Sequence, residues 1–379
     1  MNGLKGKFAS YETDGVIVAA SSPATESVDK ILECQKNGAA AVILKTASKT
    51  RMTSADTTPR RCLVRDGLFW AKSSFNREIL TLEQGEALVR DCKASGITIP
   101  IAASVTELSL KTADWLEDCK RMETAGADAI QLDFFYIENM LSEPDFGNRF
   151  IQLLRDIREN TLIPVMPKLN VALPAEYAAH LLNRGGIHYV SLLDSIKTPP
   201  PVFIDWQNCA GAERRPGISF SENLSGGGLS VFGSFMLPIT AQYTDTLARA
   251  GFEVCAGGGV TDGGGAVNLL LLGASSVQVA TDVLLNGYRR FSILNEEIIR
   301  ISNYAKLSEQ IRSHRVFRQH AELNADRCDS SLCGQECTRQ TFCSLVRMEK
   351  GKPTFAGCEG CGLCANLCPR SSILMTVGI

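Results

Sequence analysis

The sequence predicts an α/β fold, a (β/α)8 TIM barrel followed by a small C-terminal ferredoxin-like iron–sulfur domain. Eight short apolar runs alternate with amphipathic segments, and most of these segments end in a glycine. Eight of the fourteen cysteines are confined to the stretch from Cys328 to Cys368. Eight βα units are the number that closes a TIM barrel. A doubly wound open sheet is the alternative, but no G-x-G-x-x-G follows the first strand.

Composition narrows the class of protein. The 379 residues fit one large domain plus an appendage or two domains, and 45% hydrophobic residues suffice for a buried core. A net charge of −2 gives no reason to expect nucleic acid or an anionic membrane as a partner. The N-terminus has no apolar signal region, and no apolar run approaches eighteen residues. Together with scattered single cysteines, this predicts a protein of the reducing cytoplasm, without membrane association.

The eight predicted strands are nearly continuous in Val, Ile, Leu and Ala, as expected for parallel strands that are covered on both faces. In chain order they are residues 15–20, 40–46, 100–105, 129–134, 165–169, 189–195, 253–260 and 276–283.

The predicted helices lie between the strands and carry one apolar face each. They are residues 26–37, 83–95, 111–125, 146–160, 174–184, 237–250 and 262–272, and a further helix over 288–314 closes the barrel. Glycine stops are expected at Gly38, Gly96, Gly126, Gly185, Gly251 and Gly273. The domains are predicted as 1–314 for the barrel and 315–379 for the iron–sulfur domain.

Two connections, residues 47–82 and 196–235, are too long to be plain βα loops. Long loops in a compact domain are usually lids or binding segments. Both follow strands, so they are expected at the C-terminal mouth, where the active sites of barrels form.

Charged and small residues end several strands at that mouth. Lys45 and Thr46 end the second strand, Asp133 the fourth, Lys168 the fifth and Asp194 the sixth. Strands seven and eight end in glycines (Gly257, Gly258, Gly259) and in Ala280-Thr281. Bare backbone at the ends of the last two strands is a common phosphate site in barrels. Surface charge or a structural salt bridge is the alternative explanation for the two lysines.

The cysteine-rich segment contains a strong cluster motif. Residues 358–369 read C-E-G-C-G-L-C-A-N-L-C-P, the C-x2-C-x2-C-x3-C-P spacing of thiolate-ligated iron–sulfur clusters. Zinc more often uses two separated C-x2-C pairs.

An upstream run is spaced C-x4-C-x3-C-x5-C, which departs from the usual pattern. In two-cluster ferredoxins the fourth cysteine of each run ligates the other cluster. That scheme assigns one [4Fe–4S] cluster to Cys328, Cys333, Cys337 and Cys368, and the other to Cys358, Cys361, Cys364 and Cys343. Residues 344–354 are expected to form a hairpin between the runs. One cluster plus zinc, or a single cluster, are the alternatives.

Several motifs together resemble the FMN-binding barrel of the dihydroorotate and dihydropyrimidine dehydrogenases. They are V-A-A-S-S-P-A-T around Ser21, A-D-A-I-Q-L-D ending at Asp133, P-K-L at Lys168, and A-G-G-G-V and G-A-S-S-V-Q-V-A-T on the last two strands. In dihydropyrimidine dehydrogenases a cysteine-rich ferredoxin-like segment likewise follows the barrel.

The resemblance implies roles for individual residues. Lys45 would contact the pyrimidine end of the isoalloxazine, and Lys168 would approach N1, where a cation stabilises the reduced flavin. Asn76 would contact the substrate. The remaining cofactor contacts implied are Ala19 and Ala20 by backbone, Thr46, Ala280, and, around the ribityl phosphate, Gly228, Gly258, Gly259 and Thr281.

The pocket departs from the family pattern. Asp133 and Asp194 replace two substrate-binding asparagines, and Tyr136 replaces the loop cysteine that serves as acid or base. An ionised carboxylate only accepts hydrogen bonds, whereas an asparagine donates and accepts. We therefore expect a donor-rich or cationic substrate, or an aspartate with a raised pKa that delivers a proton. Asp133, Asp194 and Tyr136 are the expected catalytic residues, with Ser195 also binding substrate; alternatively the aspartates pair with the lysines or the site is inactive.

The expected function is that of an FMN-dependent oxidoreductase acting on CH–CH or CH–NH groups of a small molecule, with electrons relayed through the clusters. Because no Rossmann fingerprint is present, a ferredoxin or a separate NAD(P)H/FAD subunit is the expected electron partner. An electron-transfer subunit and a true dihydropyrimidine or dihydroorotate dehydrogenase are the alternatives. Family precedent implies a homodimer.

Overall fold

The computed structural model describes residues 5–49, 62–65, 68–72, 79–198, 202–205, 217–220, 229–301 and 319–377, the last range without 330, 332, 334–336, 338–342 and 359. The chain divides into two compact units, Met1–Tyr304 and Ala305–Ile379. The domain border expected at 314/315 lies in residues 302–318, outside the described residues.

The predicted barrel is confirmed. Eight parallel strands each pair with the next, and the eighth pairs with the first, so the sheet closes. The strands are β1 (Ile17–Ala19), β2 (Ala41–Ile43), β3 (Ile101–Val105), β4 (Ala129–Asp133), β5 (Val165–Lys168), β6 (Tyr189–Ser191), β7 (Glu253–Gly257) and β8 (Ala274–Val279).

Helices lie between the strands and bury one face each against them. They are α1 (Val28–Lys36), α2 (Leu82–Ala94), α3 (Thr112–Ala125), α4 (Phe146–Asn160), α5 (Ala175–Gly185), α6 (Leu237–Arg249), α7 (Gly263–Leu271) and α8 (Arg290–Arg300). Local sequence explains their ends. Thr81 and Gln84 form a capping box that starts α2, and Gly126 ends α3 in the left-handed region.

Several boundaries differ from the sequence prediction, and the second, sixth and seventh strands end earlier than predicted, at Ile43, Ser191 and Gly257. The eighth strand ends at Val279, and Thr281–Asn286 forms a short helix, because an apolar run alone does not distinguish a strand from a buried helical turn. The helix predicted over 288–314 begins at Arg290 and ends at Arg300. The fourth glycine stop is Gly186 instead of Gly185, which is the last residue of α5.

The floor of the barrel is apolar, and its charged side chains lie at the mouth. An N-terminal hairpin (Gly6–Phe8 with Tyr11–Thr13) closes the floor, where the fully buried Phe8 packs in a cluster with Val18, Ile43 and Met166. Along β4, the positions that share the inner face are Ala129, Gln131 and Asp133, in order from floor to mouth. Charged groups are therefore confined to the mouth.

The two long connections meet in a second sheet. Leu229–Gly233 pairs antiparallel with both Ile196–Thr198 and Leu68–Lys72, and Cys62–Arg65 extends the sheet. A separate hairpin joins Val202–Asp205 to Gly217–Phe220. The segment after β2 also adds a short parallel pair, Ala47–Ser48 with Leu80–Thr81.

The C-terminal unit is small and built on two antiparallel pairs. Gln319–Leu323 pairs with Ile373–Val377, and a hairpin of Arg347–Glu349 and Lys352–Thr354 lies within residues 344–354, as predicted. A short helix, Leu363–Leu367, lies within the second cysteine run. In the described parts of both units, no helix has the length and apolar character needed to cross a bilayer.

Replacing Phe150 by alanine should destabilise the barrel by about 3–5 kcal/mol, because the ring is fully buried and its loss leaves a cavity. Phe150 packs on Phe134, with ring centroids 4.8 Å apart. Urea unfolding followed by circular dichroism measures the change. Leu162→Ala, at a side chain that is 94% exposed, should stay within about 0.5 kcal/mol of the parent. Equal losses in both variants would contradict the packing.

Candidate active site at the barrel mouth

The ends of neighbouring strands bring one ammonium group and two carboxylates together. Asp133 at the end of β4 is the register partner of Lys168 at the end of β5. Lys168 Nζ lies 2.7 Å from Asp194 Oδ2 and 3.9 Å from Asp133 Oδ2. Lys45, which follows β2, is also buried at this mouth. Two negatively charged residues, Asp133 and Asp194, therefore share the buried Lys168 cation.

The two carboxylates have different surroundings. Asp194 Oδ1 accepts a hydrogen bond from the backbone N–H of Ser195 (2.6 Å) and one from its hydroxyl (3.3 Å), while Oδ2 faces Lys168. Asp133 Oδ2 accepts one from the Thr46 hydroxyl (3.0 Å). Asp133 Oδ1 is buried and has no hydrogen-bond partner among the described residues. Asp194 is thus fully engaged, whereas Asp133 keeps one oxygen unpartnered.

This asymmetry separates the pKa values of the two groups. Burial raises the pKa of Asp133 to about 6, with Lys168 opposing and the charge of Asp194 adding to the rise. Burial acts on Asp194 in the same direction, but Lys168 and the Ser195 N–H outweigh it and hold its pKa below the ordinary value. The two carboxylates likewise outweigh the burial of Lys168 and raise its pKa. Burial lowers the pKa of Lys45 to about 8.

A chain of buried polar side chains crosses the barrel beneath this group. Gln278 Nε2 donates to Ser191 Oγ (2.7 Å), and Ser191 donates to Gln131 Oε1 (2.9 Å). Gln131 Nε2 donates to Ser104 Oγ (2.9 Å), which lies 2.9 Å from the Thr46 hydroxyl. Thr46 Oγ1 also lies 3.0 Å from Ser21 Oγ. Because an ionised carboxylate can only accept, Thr46 is the donor to Asp133 Oδ2, and this polar chain ends at that oxygen.

A cleft of about 820 Å³ opens on one side of the charged group. Seven of the residues expected to contact a cofactor line it, together with Asp194 and Ser195: Ala20, Lys45, Lys168, Gly258, Gly259, Ala280 and Thr281. Ala19 is buried in β1, and its side chain belongs to the core between strands and helices. Thr46 lines a different cleft, and Gly228 lies outside the described residues.

That second cleft, of about 410 Å³, adjoins the first. Asp133, Tyr136 and Thr46 line it, and four residues line both clefts: Ser21, Lys45, Lys168 and Asp194. Asn76 lies outside the described residues, although Ile79 lines this cleft. The Tyr136 ring meets Phe135 edge to face at 4.9 Å.

Several lining residues were missed by the sequence reasoning. Ser21 follows β1 and Thr106 follows β3, so the rule that strand ends converge could have found both. Phe135 had no such signal. Gln278 lies within β8, two residues before Ala280, and therefore before the strand end where functional residues are expected.

The glycine turn after β7 has room for backbone alone. Gly258 and Gly259 have φ of +112° and +90°. A Cβ at Gly259 would lie 2.3 Å from the backbone nitrogen of Leu237, and one at Gly258 would lie 2.8 Å from Thr240 Oγ1. Opposite this turn, Thr281 begins a helix whose first N–H groups have no acceptor within the helix. This arrangement fits an anionic group held by backbone N–H donors.

The C-terminal unit contains two cavities lined by cysteines. One, of about 250 Å³, is lined by Cys328, Cys333, Cys337 and Cys368; the other, of about 980 Å³, by Cys343, Cys358, Cys361 and Cys364. Backbone N–H groups face the sulfurs, with Ala321 N and Gly360 N at 3.4 and 3.3 Å from Cys358 Sγ. Within the described residues, no three His, Cys, Asp or Glu side chains are placed to hold a single metal ion. The sulfurs thus surround a volume and do not converge on a point.

Comparison with known proteins supports an oxidoreductase as the general class of this TIM-barrel chain. No family model matches the sequence. Dihydropyrimidine dehydrogenase (NADP(+)), chloroplastic, of Arabidopsis thaliana is 25% identical over 330 residues, which cover 81% of this chain and 76% of that protein. The similarity is distant and extends over most of both chains.

Asp194→Asn should lower the free energy of unfolding by about 3 kcal/mol, because it leaves the buried Lys168 without its nearest counter-ion. Urea unfolding at neutral pH measures the loss. Asp245→Asn, in the exposed pair with Arg249, is the matched control and should change stability by less than about 0.5 kcal/mol. A loss no larger than that of the control would show that the buried pair contributes nothing net.

Proposed function

We propose that this chain is an FMN-dependent iron–sulfur oxidoreductase that reduces a C=C or C=N bond of a small, heterocyclic or cationic substrate. The observation that carries the proposal is the pair of adjoining clefts at the barrel mouth, which share Lys45, Lys168 and Asp194. One cleft has the backbone lining for the phosphate of a flavin nucleotide. The other has the polar groups for a substrate beside it.

The residues of the larger cleft fit FMN. The turn at Gly258 and Gly259 and the helix that begins at Thr281 would hold its phosphate by backbone N–H groups. Lys168 would lie against the ring, where its charge favours the reduced, anionic form. The remaining proposed contacts to FMN are made by Lys45, Ala19, Ala20, Thr46, Ala280 and Gly228. When bound, FMN supplies two-electron chemistry as hydride transfer to the substrate and one-electron exchange with iron–sulfur centres.

The smaller cleft would hold the substrate. Asp133 and Tyr136 line it, and Asp194 and Lys168 form the wall that it shares with the larger cleft. Ser195 and Asn76 complete the proposed substrate contacts. Because the aromatic rings of Phe135 and Tyr136 form one side of the cleft, a flat ring would pack there while its polar edge faces Asp133.

Two [4Fe–4S] clusters are proposed for the cysteine cavities. A single tetrahedral zinc with Zn–S bonds near 2.3 Å would draw four sulfurs to within about 3.8 Å of one another. The cysteines instead line cavities, and Cys343 and Cys368 each line the cavity of the other run, as the ferredoxin scheme requires. A ferredoxin or a separate NAD(P)H/FAD subunit would supply the electrons. A cytoplasmic location and a homodimeric assembly are part of the same proposal.

A second candidate is an electron-transfer subunit whose flavin passes electrons to a partner protein. The observation in its favour is the closed ion pair between Lys168 and Asp194, which leaves Asp133 as the only one of the two carboxylates with an unpartnered oxygen in the described structure. A true dihydropyrimidine or dihydroorotate dehydrogenase is the third, supported by the plant relative.

The candidates differ in what reoxidises the reduced protein. Anaerobic protein reduced with dithionite should lose its reduced-flavin spectrum within one turnover when the correct cyclic imine or conjugated heterocycle is added. Stopped-flow absorbance with a panel that includes uracil, thymine and orotate measures this. Reoxidation by a pyrimidine would favour the third candidate, and reoxidation by ferredoxin alone would favour the electron-transfer subunit.

Cys343→Ser should remove one cluster and leave the other, so iron and sulfide should fall from about eight to about four atoms per chain. Anaerobic iron and sulfide analysis measures both. Cys34→Ala is the control: this cysteine is buried in the barrel and should leave the iron content unchanged. About four iron atoms in the parent protein would refute the second cluster.

Gly259→Ala should lower the ratio of flavin to protein severalfold, because a Cβ there displaces the turn proposed to contact the phosphate. Gly251→Ala is a matched control. It has nearly the same φ (+91°), yet a Cβ there has nothing within 4 Å. The backbone strain is therefore alike in the two variants, and unchanged flavin content in Gly259→Ala would remove the turn from the proposed cofactor site.

A further inference from the structure

We propose that Asp133 and Asp194 together hold one proton, which stays on Asp133 as the acid that protonates the substrate, while Asp194 remains the ionised counter-ion of Lys168. The inference rests on the proposed function for the hydride that completes the reduction. It assigns unequal roles to two residues that the sequence treats alike.

The ion pairing decides which carboxyl keeps the proton. Lys168 Nζ is 2.7 Å from Asp194 and 3.9 Å from Asp133, and only Asp194 receives a backbone N–H, from Ser195. Asp133 is buried, the Asp194 side chain is 15% exposed, and both carboxyls lie near the same ammonium group. Like charges this close cannot both ionise at equal cost, so the proton stays on the carboxyl with the weaker stabilisation. That carboxyl is Asp133.

The hydrogen-bond chain decides which oxygen carries the proton. Asp133 Oδ2 already accepts from Thr46, the last side chain of the polar chain that begins at Gln278. Oδ1 is buried and has no partner in the described part of the chain. A protonated Oδ1 removes this unsatisfied acceptor, because a neutral O–H in that position can donate to Asp194.

Every charged group around Asp133 contributes to its titration. Lys45 after β2 and Lys168 on β5 favour the ionised form, whereas Asp194 after β6 opposes it, and Tyr136 lies on the same loop. Burial is the largest influence, and the resulting pKa of about 6 places the acid close to neutral pH. A general acid is most effective when its pKa lies near the working pH.

The proton step balances the reduction. The O–H bond of Asp133 breaks, and the proton bonds to the substrate carbon or nitrogen that takes up the electron pair of the former double bond. The hydride on the other atom would be supplied by the proposed FMN. Asp133 is left as a carboxylate that Thr46 and Lys168 stabilise, and it regains a proton from water. The substrate class that fits is a neutral ring with an imine nitrogen or with a C=C conjugated to a carbonyl. Such a ring has a lone pair that can accept the hydrogen bond from the Asp133 O–H group.

Infrared spectroscopy of the isolated holoprotein tests the shared proton without a substrate. The C=O stretch of a protonated carboxyl should disappear with a midpoint near pH 6 in the parent protein and be missing in Asp133→Asn. Asp118 is a built-in control. It is a second buried acid beside Glu107, with its pKa raised by burial to about 8, and Asp118→Asn should remove a different band while leaving that of Asp133 in place.

Two further variants measure the coupling. Asp194→Asn should move the Asp133 midpoint to lower pH, because it removes the like charge and leaves Lys168 to Asp133. Thr46→Val should raise the midpoint by about one pH unit, since it removes the donor to Oδ2 while keeping both carboxyls. The proposal fails if the parent minus Asp133→Asn difference contains no carboxyl band at pH 5, or if Asp194→Asn leaves the midpoint unchanged.

Flavin and iron contents of the same samples keep the two proposals separate. A protein without flavin that still shows the coupled carboxyl titration would refute the proposed function alone. Normal flavin and iron with no coupled titration would refute the shared proton alone. Since Thr46→Val tests the pair independently, a misfolded Asp133→Asn variant does not decide the outcome.

Discussion

The structure of the barrel mouth depends on one constraint: the buried ammonium group of Lys168 must be paired with a negative charge. Lys168 is buried at the end of β5, and a charge removed from water must be paired and hydrogen-bonded. Asp194 supplies that pairing and is itself held by Ser195. The pairing register of β4 and β5 also places Asp133 beside Lys168, which already has Asp194 as its counter-ion. Asp133 is therefore a second, surplus carboxyl. Its raised pKa, its unpartnered oxygen and the polar chain that reaches it through Thr46 all follow from this surplus.

The barrel could be predicted from the sequence because its elements repeat a local pattern. Continuous apolar strands and glycine-terminated amphipathic helices indicate their own type, and eight of them indicate closure. Features set by distant contacts could not be predicted. Phe8 closes the barrel floor through neighbours on several strands, and Thr281–Asn286 is helical although its residues read equally well as the end of a strand. The meeting of the two long connections in one antiparallel sheet had no local signal either.

The sequence predicted which residues meet at the site, but it did not predict which carboxylate pairs with Lys168. Parallel strands end on the same side of a barrel, which is why Lys45, Asp133, Lys168 and Asp194 could be expected together, and all four line the smaller cleft. Which carboxylate takes the lysine depends on differences of about 1 Å between side-chain positions, and residue types do not encode these. The choice also depends on the Ser195 N–H, a backbone group that is invisible in the sequence. Asn76 and Gly228 lie outside the described residues, and their roles remain predictions.

The two aspartates, which the sequence resemblance places at asparagine positions, look different once their protonation state is considered. An ionised aspartate only accepts hydrogen bonds, so two such exchanges indicate a donor-rich or cationic substrate. A protonated Asp133 instead offers one O–H donor and one carbonyl acceptor, the same pair of functions that an asparagine offers. Because the pKa of Asp133 is raised to about 6, the cleft can present either character near neutral pH. By linkage, a neutral ring that accepts a hydrogen bond will raise this pKa on binding, and a cation will lower it. The substrate therefore selects the protonation state, and the direction of that shift identifies its class.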